Sequence, residues 1–195
     1  MEKQLNIFAN NKKEPVTKDT STEIKRFFAE KKVPVVENWA VFVDGAARGN
    51  PGPAGCGIYV INDNKDIIKK GFFLGTKTNN QAEYIALLLA VFLIKKKLQE
   101  LEIENIILTI HSDSELLVRQ MCGFYKIKNA VLQCINSMIE RMLKGIPHKF
   151  IHIMREKNKI ADKLANLGVD KKVQLPKEFF DFVADFKDIV EIIRS

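Results

Sequence analysis

The chain has 195 residues, 46% of them hydrophobic, enough for one ordinary domain with extensions. No apolar stretch reaches the roughly 18 residues of a membrane span, residues Met1–Asn6 are not of signal-peptide type, and the 3 widely spaced cysteines, Cys56, Cys122 and Cys134, argue for free thiols rather than a disulfide framework or a Cys-x-x-Cys zinc site. The net charge of +7 equals that of residues 39–172, since the two flanks cancel; a basic middle suits a polyanionic partner in a reducing, cytoplasmic setting, although a lysine-rich soluble surface has the same charge.

Residues 1–38 read as a polar, turn-rich extension in which Thr22 caps a short helix through Ile24, Phe27, Phe28 and Ala29, ending before Val33-Pro34. From Trp39 the pattern becomes β, with strands expected near 39–46, 55–63 and 66–75. The first apolar run, Ala40-Val41-Phe42-Val43, stops on Asp44 and enters a glycine- and proline-rich turn that lasts to Gly57. A charge closing a buried strand is costly unless it is paired, hydrogen-bonded or bound to a metal, and the small turn residues let a large partner approach the backbone. Asn62-Asp63-Asn64-Lys65 supplies hairpin chemistry, so the three strands are antiparallel.

Gly75–Asn80 breaks the strand and caps a helix expected from about Gln81 to Lys97, apolar nearly all round and therefore buried. Glu83 falls in its first turn, where an acid interacts favourably with the helix N-terminus. Asn105–His111 is a strand ending in Ser112-Asp113-Ser114, a second acid at a strand end, and a helix through Leu116, Leu117, Val118 and Met121 follows until Gly123. Phe124–Asn129 is a short aromatic and basic connection to an amphipathic helix through Val131, Leu132, Ile135, Met138, Ile139 and Met142. His148–Met154 is the last strand; Arg155–Asn158 turns into a helix carrying Ala161, Asp162, Leu164 and Ala165, and residues 176–193 form a final amphipathic helix. The order predicts an α/β fold with a five-stranded mixed sheet: three antiparallel strands, then two reached by helical crossovers, with helices on the faces. The domain reading is an extension at 1–38, a domain at 39–172 and a C-terminal helix at 173–195.

Four acids recur at similar places: Asp44 and Asp113 at strand ends, Glu83 and Asp162 early in helices. Strand ends and helix starts converge on one side of such a sheet, where α/β proteins build their sites. Four carboxylates together raise one another's pKa unless a cation neutralises them, and hard oxygen donors without a thiol or a histidine cluster suit Mg²⁺ or Mn²⁺. Two such ions about 4 Å apart can activate a water and stabilise a leaving oxygen in phosphodiester hydrolysis.

These acids stand in four motifs: Val43-Asp44-Gly45-Ala46-Ala47-Arg48-Gly49-Asn50-Pro51-Gly52, Thr78-Asn79-Asn80-Gln81-Ala82-Glu83-Tyr84, Ser112-Asp113-Ser114 and Asn158-Lys159-Ile160-Ala161-Asp162. In that order they resemble a type 1 ribonuclease H over about residues 39–172. The resemblance implies a ribonuclease H-like fold and an active site of Asp44, Glu83, Asp113 and Asp162 binding two Mg²⁺, with Mn²⁺ as a substitute. It implies endonucleolytic cleavage of the RNA strand of an RNA–DNA hybrid, leaving 5′-phosphate and 3′-hydroxyl ends. Gly45, Ala46, Asn50, Asn79, Asn80 and Gln81 take the positions that read RNA 2′-hydroxyls in the family, a role that amides and open backbone can fill; helix capping is the other reading of Asn79 and Asn80.

The interval between the third and fourth acids lacks the basic protrusion of many members and resembles a shorter subgroup. Lys126, Lys128 and Asn129 are then the candidates for phosphate contacts. The histidine loop before the last acid is also short: His152 falls in the strand pattern as a structural residue, and Arg155 is the candidate to hold the scissile phosphate or ease product departure. Two further readings stay open, a hybrid-binding module that does not cleave and another nuclease of the same superfamily, such as a resolvase or integrase core.

Overall fold

The computed structural model describes residues 36–194. The helix expected near Ile24–Ala29 and the rest of the N-terminal extension up to residue 35 lie outside the described residues. Trp39, Val41 and Val43 alternate along β1 (Glu37–Ala47) and are all buried on one face, as a period of two requires. β2 (Gly52–Asn62) and β3 (Lys65–Lys77) follow antiparallel, joined at Asp63 and Asn64, whose φ values of 45° and 66° are those a two-residue hairpin needs. β4 (Ile106–Ser112) lies parallel on the other side of β1, and β5 (His148–His152) lies parallel to β4, so the sheet order is β3-β2-β1-β4-β5. This is the expected mixed sheet, and His152 lies in β5 as the alternation implied, although the strand ends there rather than at Met154.

α1 (Asn79–Glu100) crosses from β3 to β4; α2 (Glu115–Met121) and α3 (Ala130–Leu143) cross from β4 to β5. The apolar circumference of α1 is explained by cover on several sides. It packs on β1, β2 and α3, and Phe92 meets Phe179 of the C-terminal segment at 5.3 Å. That segment differs from the single helix expected: it is two short helices, α5 (Lys177–Val183) and α6 (Lys187–Arg194). The break at Ala184–Phe186 lets Phe179 and Val183 of one helix and Ile189 and Ile193 of the other all enter the common core. Among the described residues no helix is long and apolar enough to cross a membrane.

α4 (Lys159–Lys171), entered through a 3-10 turn at Arg155–Lys157, covers β2 and β3 on the opposite face. Its approach is unusually close. A Cβ on Gly57 would lie 1.9 Å from the Ala161 carbonyl oxygen, and one on Gly71 2.0 Å from that of Leu164. Only glycine admits that contact. Gly57 pairs directly with Asp44, so the fit that seats α4 on Gly57 also brings Asp162, one residue beyond Ala161, over Asp44.

Gly45 does the same for α1. It is buried, and a Cβ there would lie 2.1 Å from the Glu83 amide nitrogen. Gly45→Ala is therefore expected to push α1 off β1 and to cost about 1–3 kcal/mol. Scanning calorimetry checks this: Tm should fall by several degrees, at roughly 2–4 °C per kcal/mol in a chain of this size, and an unchanged Tm would contradict the close packing.

Candidate active site

Four elements deliver one carboxylate each to the same end of the sheet. β1 delivers Asp44 two residues beyond Phe42, on the same side of the strand. Asp113 follows directly after β4. α1 delivers Glu83, in its second turn rather than the first that was expected, because Thr78 caps the helix and starts it at Asn79. The Thr78 side chain accepts from the Gln81 amide while the Gln81 side chain accepts from the Thr78 amide, a reciprocal cap. α4 delivers Asp162. Together with Asn79, Ser114, Arg155 and Asn166, these acids line a cleft of about 300 Å³. Larger hollows lie beside α3, but neither gathers more than two acids.

Three of the four acids are each held by a polar neighbour. Glu83 accepts from Asn79 Nδ2 at 3.0 Å and from the Ser114 hydroxyl. Asp113 accepts from Asn158 Nδ2 at 2.6 Å, and Asp162 pairs with Arg155 at 3.0 Å. Turned onto these partners, no three acids close on a single point among the described residues. The donor set nevertheless fits a hard divalent cation. It is all oxygen, and it is under-neutralised: burial, then repulsion from Asp113, Asp162 and Glu83, pushes Asp44 up to about 7 against a weaker pull from Arg155. Burial likewise raises Glu83 to about 7, with Asp113 adding to it and the bonds from Ser114 and Asn79 opposing it.

These shifts make the metal-free protein pH-sensitive. Carboxyls that ionise near 4 when unfolded and near 7 when folded stabilise the protein while they are protonated, and that contribution is lost as pH rises from about 4 through about 7. In EDTA, unfolding free energy is expected to decline over that window by on the order of a few kcal/mol in total, and Tm to fall with it. The decline should shrink in Asp44→Asn and on adding Mg²⁺. Equal declines in the wild type and in Asp44→Asn would show that this acid is not the source.

The substrate-facing residues read from the sequence divide into two groups. Ala46 and Asn79 line the cleft, and Arg155 reaches into it while its side chain stays 77% exposed. Asn50 Oδ1 accepts from the Asn79 amide at 3.1 Å, joining the first turn to the start of α1, and Asn80 is exposed beside them. Gly45 lines the cleft but spends its open side on α1, and Gln81 spends its side-chain oxygen on the cap. Lys126 and Lys128 are exposed on the α2–α3 loop outside the cleft lining, and Asn129 Oδ1 caps α3 by accepting from Leu132 at 3.1 Å. Sequence reasoning passed over Ser114, Asn158 and Asn166. The first two stand inside the quoted motifs, one residue after Asp113 and four before Asp162; Asn166, one turn past Asp162, donates to its carbonyl at 2.9 Å.

Comparison with known proteins bears on this arrangement. The Reverse transcriptase-like family model matches residues 42–168. The chain is 34% identical over 131 residues to Ribonuclease HI of Halobacterium salinarum, covering 66% of this chain and 63% of that relative, so it spans somewhat less than two thirds of the relative's length. Among solved structures, LC11-RNase H1 in complex with RNA/DNA hybrid is similar at 36% identity and a TM-score of 0.63, covering 68% of this chain and 97% of its own. RNase H1 from Halobacterium salinarum is similar at 29% identity and a TM-score of 0.61, covering 69% and 98%.

Proposed function

This chain belongs to the type 1 ribonuclease H family, and we propose that it is a cytoplasmic endoribonuclease that hydrolyses the RNA strand of RNA–DNA hybrids, leaving 5′-phosphate and 3′-hydroxyl ends. The observation that carries the reading is the convergence of Asp44, Glu83, Asp113 and Asp162, from four separate elements, in one cleft, where crowding helps raise the pKa of Asp44 and Glu83. A pure binding module has no use for such a cluster, which repels phosphate unless it is neutralised. The four acids would hold two Mg²⁺, or Mn²⁺ in its place. Bound divalent cations activate a water and stabilise the leaving oxygen in phosphodiester hydrolysis.

The chain's own residues do the rest. Ala46 and Asn79 line the cleft, and the exposed Asn50 and Asn80 adjoin Asn79, so 2′-hydroxyls can be met there by both donors and acceptors. That group separates RNA from DNA, which favours a ribonuclease over other nucleases of the superfamily. Arg155 neutralises Asp162 in the free protein and is exposed enough to exchange that partner for a phosphate. Lys126 and Lys128 supply flanking positive charge for the hybrid backbone. The chemistry belongs to the domain of residues 39–172.

An end-labelled RNA–DNA hybrid, duplex RNA and duplex DNA incubated in parallel with Mg²⁺ or with EDTA test the reading. Cuts confined to the RNA strand of the hybrid and lost in EDTA are expected. Tight binding with every strand intact would instead make the protein a hybrid-binding module.

A further inference from the structure

Asn158 occupies the N-cap position of α4, where asparagine ordinarily turns its oxygen onto the first free amides of the helix. Here its side chain makes no cap bond. Asn158 is 1% exposed, and its amide group donates to the Val43 carbonyl at 2.9 Å and to Asp113 Oδ1 at 2.6 Å. Its backbone carbonyl accepts from the Asp162 amide at 3.0 Å. Val43 is the residue before Asp44. One buried side chain and its own peptide therefore bind Asp113, the last peptide before Asp44, and the turn that presents Asp162.

The orientation of the amide is set by its surroundings. Turned over, it would press its oxygen against a carbonyl and a carboxylate. As placed, both amide hydrogens are used and Oδ1 is buried without a partner. A buried polar atom left unsatisfied is costly, so the site keeps the two donors at the expense of the acceptor. That is the arrangement expected where the direction of the Asp113 carboxylate matters more than complete satisfaction of the asparagine.

We propose that Asn158 is the positioning residue of the acidic site, its amide fixing the Asp113 carboxylate against the end of β1 and beside Asp162 so that the acids offer a divalent cation a set spacing. The proposal rests on the metal-binding reading above. Without the donor, Asp113 is free to rotate away from acids that repel it, and a cation must then draw it back. Partners of this outer kind are typically worth 10- to 100-fold in metal affinity or activity.

Titration of the metal-free protein with Mn²⁺ alone, followed by calorimetry and by the electron paramagnetic resonance of free Mn²⁺, tests the proposal in wild type, Asn158→Ala and Asn158→Leu. The leucine variant keeps the volume and removes the donor. Both variants are expected to bind Mn²⁺ at least about 10-fold more weakly. In hybrid cleavage the half-saturating Mg²⁺ concentration should rise with them, kcat should recover as Mg²⁺ is raised, and KM for the hybrid should stay within about threefold, because the phosphate and 2′-hydroxyl contacts are untouched. Mn²⁺ affinity within about threefold of wild type in both variants would overturn the proposal. So would a wild-type-like Asn158→Leu, which would make the role one of packing, or loss of folding in both variants at 4 °C by circular dichroism, which would make it one of stability. A wild type that binds no Mn²⁺ would overturn the metal reading itself.

Discussion

Asp113→Asn is expected to abolish cleavage of the RNA strand at saturating Mg²⁺ while leaving hybrid binding within about threefold, since binding draws mainly on phosphate contacts. The reason is where Asp113 stands. It follows β4 directly, it contributes to the raised pKa of both Asp44 and Glu83, and it is the acid that Asn158 holds. Replacing its carboxylate with an amide keeps the shape and removes one of the negative charges that a cation would answer. Metal-assisted charge stabilisation is worth several kcal/mol, and about 4 kcal/mol is on the order of 10³-fold in rate. Single-turnover cleavage and filter binding on the same preparation separate the two effects. Retained cleavage would remove Asp113 from the chemistry, and lost binding with lost cleavage would point to misfolding or to a role in substrate capture.

Truncation after Lys172 is expected to destabilise the protein severely, even though the family match ends at residue 168. Phe179 and Val183 of α5 are fully buried, and Ile189 and Ile193 of α6 are 2% and 5% exposed in the same core as α1. Burial of such side chains is worth about 1.5–3 kcal/mol each, and removing them also uncovers Phe92. Even if ordering entropy offsets half of the gain, about 3–6 kcal/mol is lost from a protein whose total stability is on the order of 5–15 kcal/mol. The truncated protein should be insoluble or melt roughly 10–20 °C lower, at about 2–4 °C per kcal/mol. An unchanged Tm and full activity would make these helices an accessory rather than part of the folded domain. A loss of that size would move the working boundary of the folded domain beyond residue 172, although the catalytic motifs end before it.

Much of this was legible in one dimension. Asp44 and Asp113 announce themselves because a charge closing an apolar run is rare, and the alternation of Trp39, Val41 and Val43, the uniform apolarity of α1 and the Asp63-Asn64 turn are local signals that local physics enforces. The exact start of α1 was not legible. Reading Asn79 and Asn80 as caps put Glu83 in the first turn, whereas the reciprocal bond between Thr78 and Gln81 begins the helix earlier and frees Asn79 to hold Glu83. The C-terminal helix was read as one because its apolar period runs unbroken; the break at Ala184–Phe186 answers to the surface it covers.

By itself the sequence determined the order of the elements, the mixed sheet and which four acids lie near strand ends and helix starts, because periodicity, turn chemistry and capping are written within a few residues of where they act. Only the tertiary structure decided how closely those acids approach and what holds them. Gly45 against Glu83, Gly57 against Ala161, Ser114 on Glu83 and Asn158 across Val43 and Asp113 are contacts between residues 31 to 115 positions apart. No local pattern encodes such a pair. A glycine reads as a turn and an asparagine as a cap until the opposing backbone arrives, and it is the packing of α1 and α4 onto the sheet that turns them into the spacers and clamp of a site.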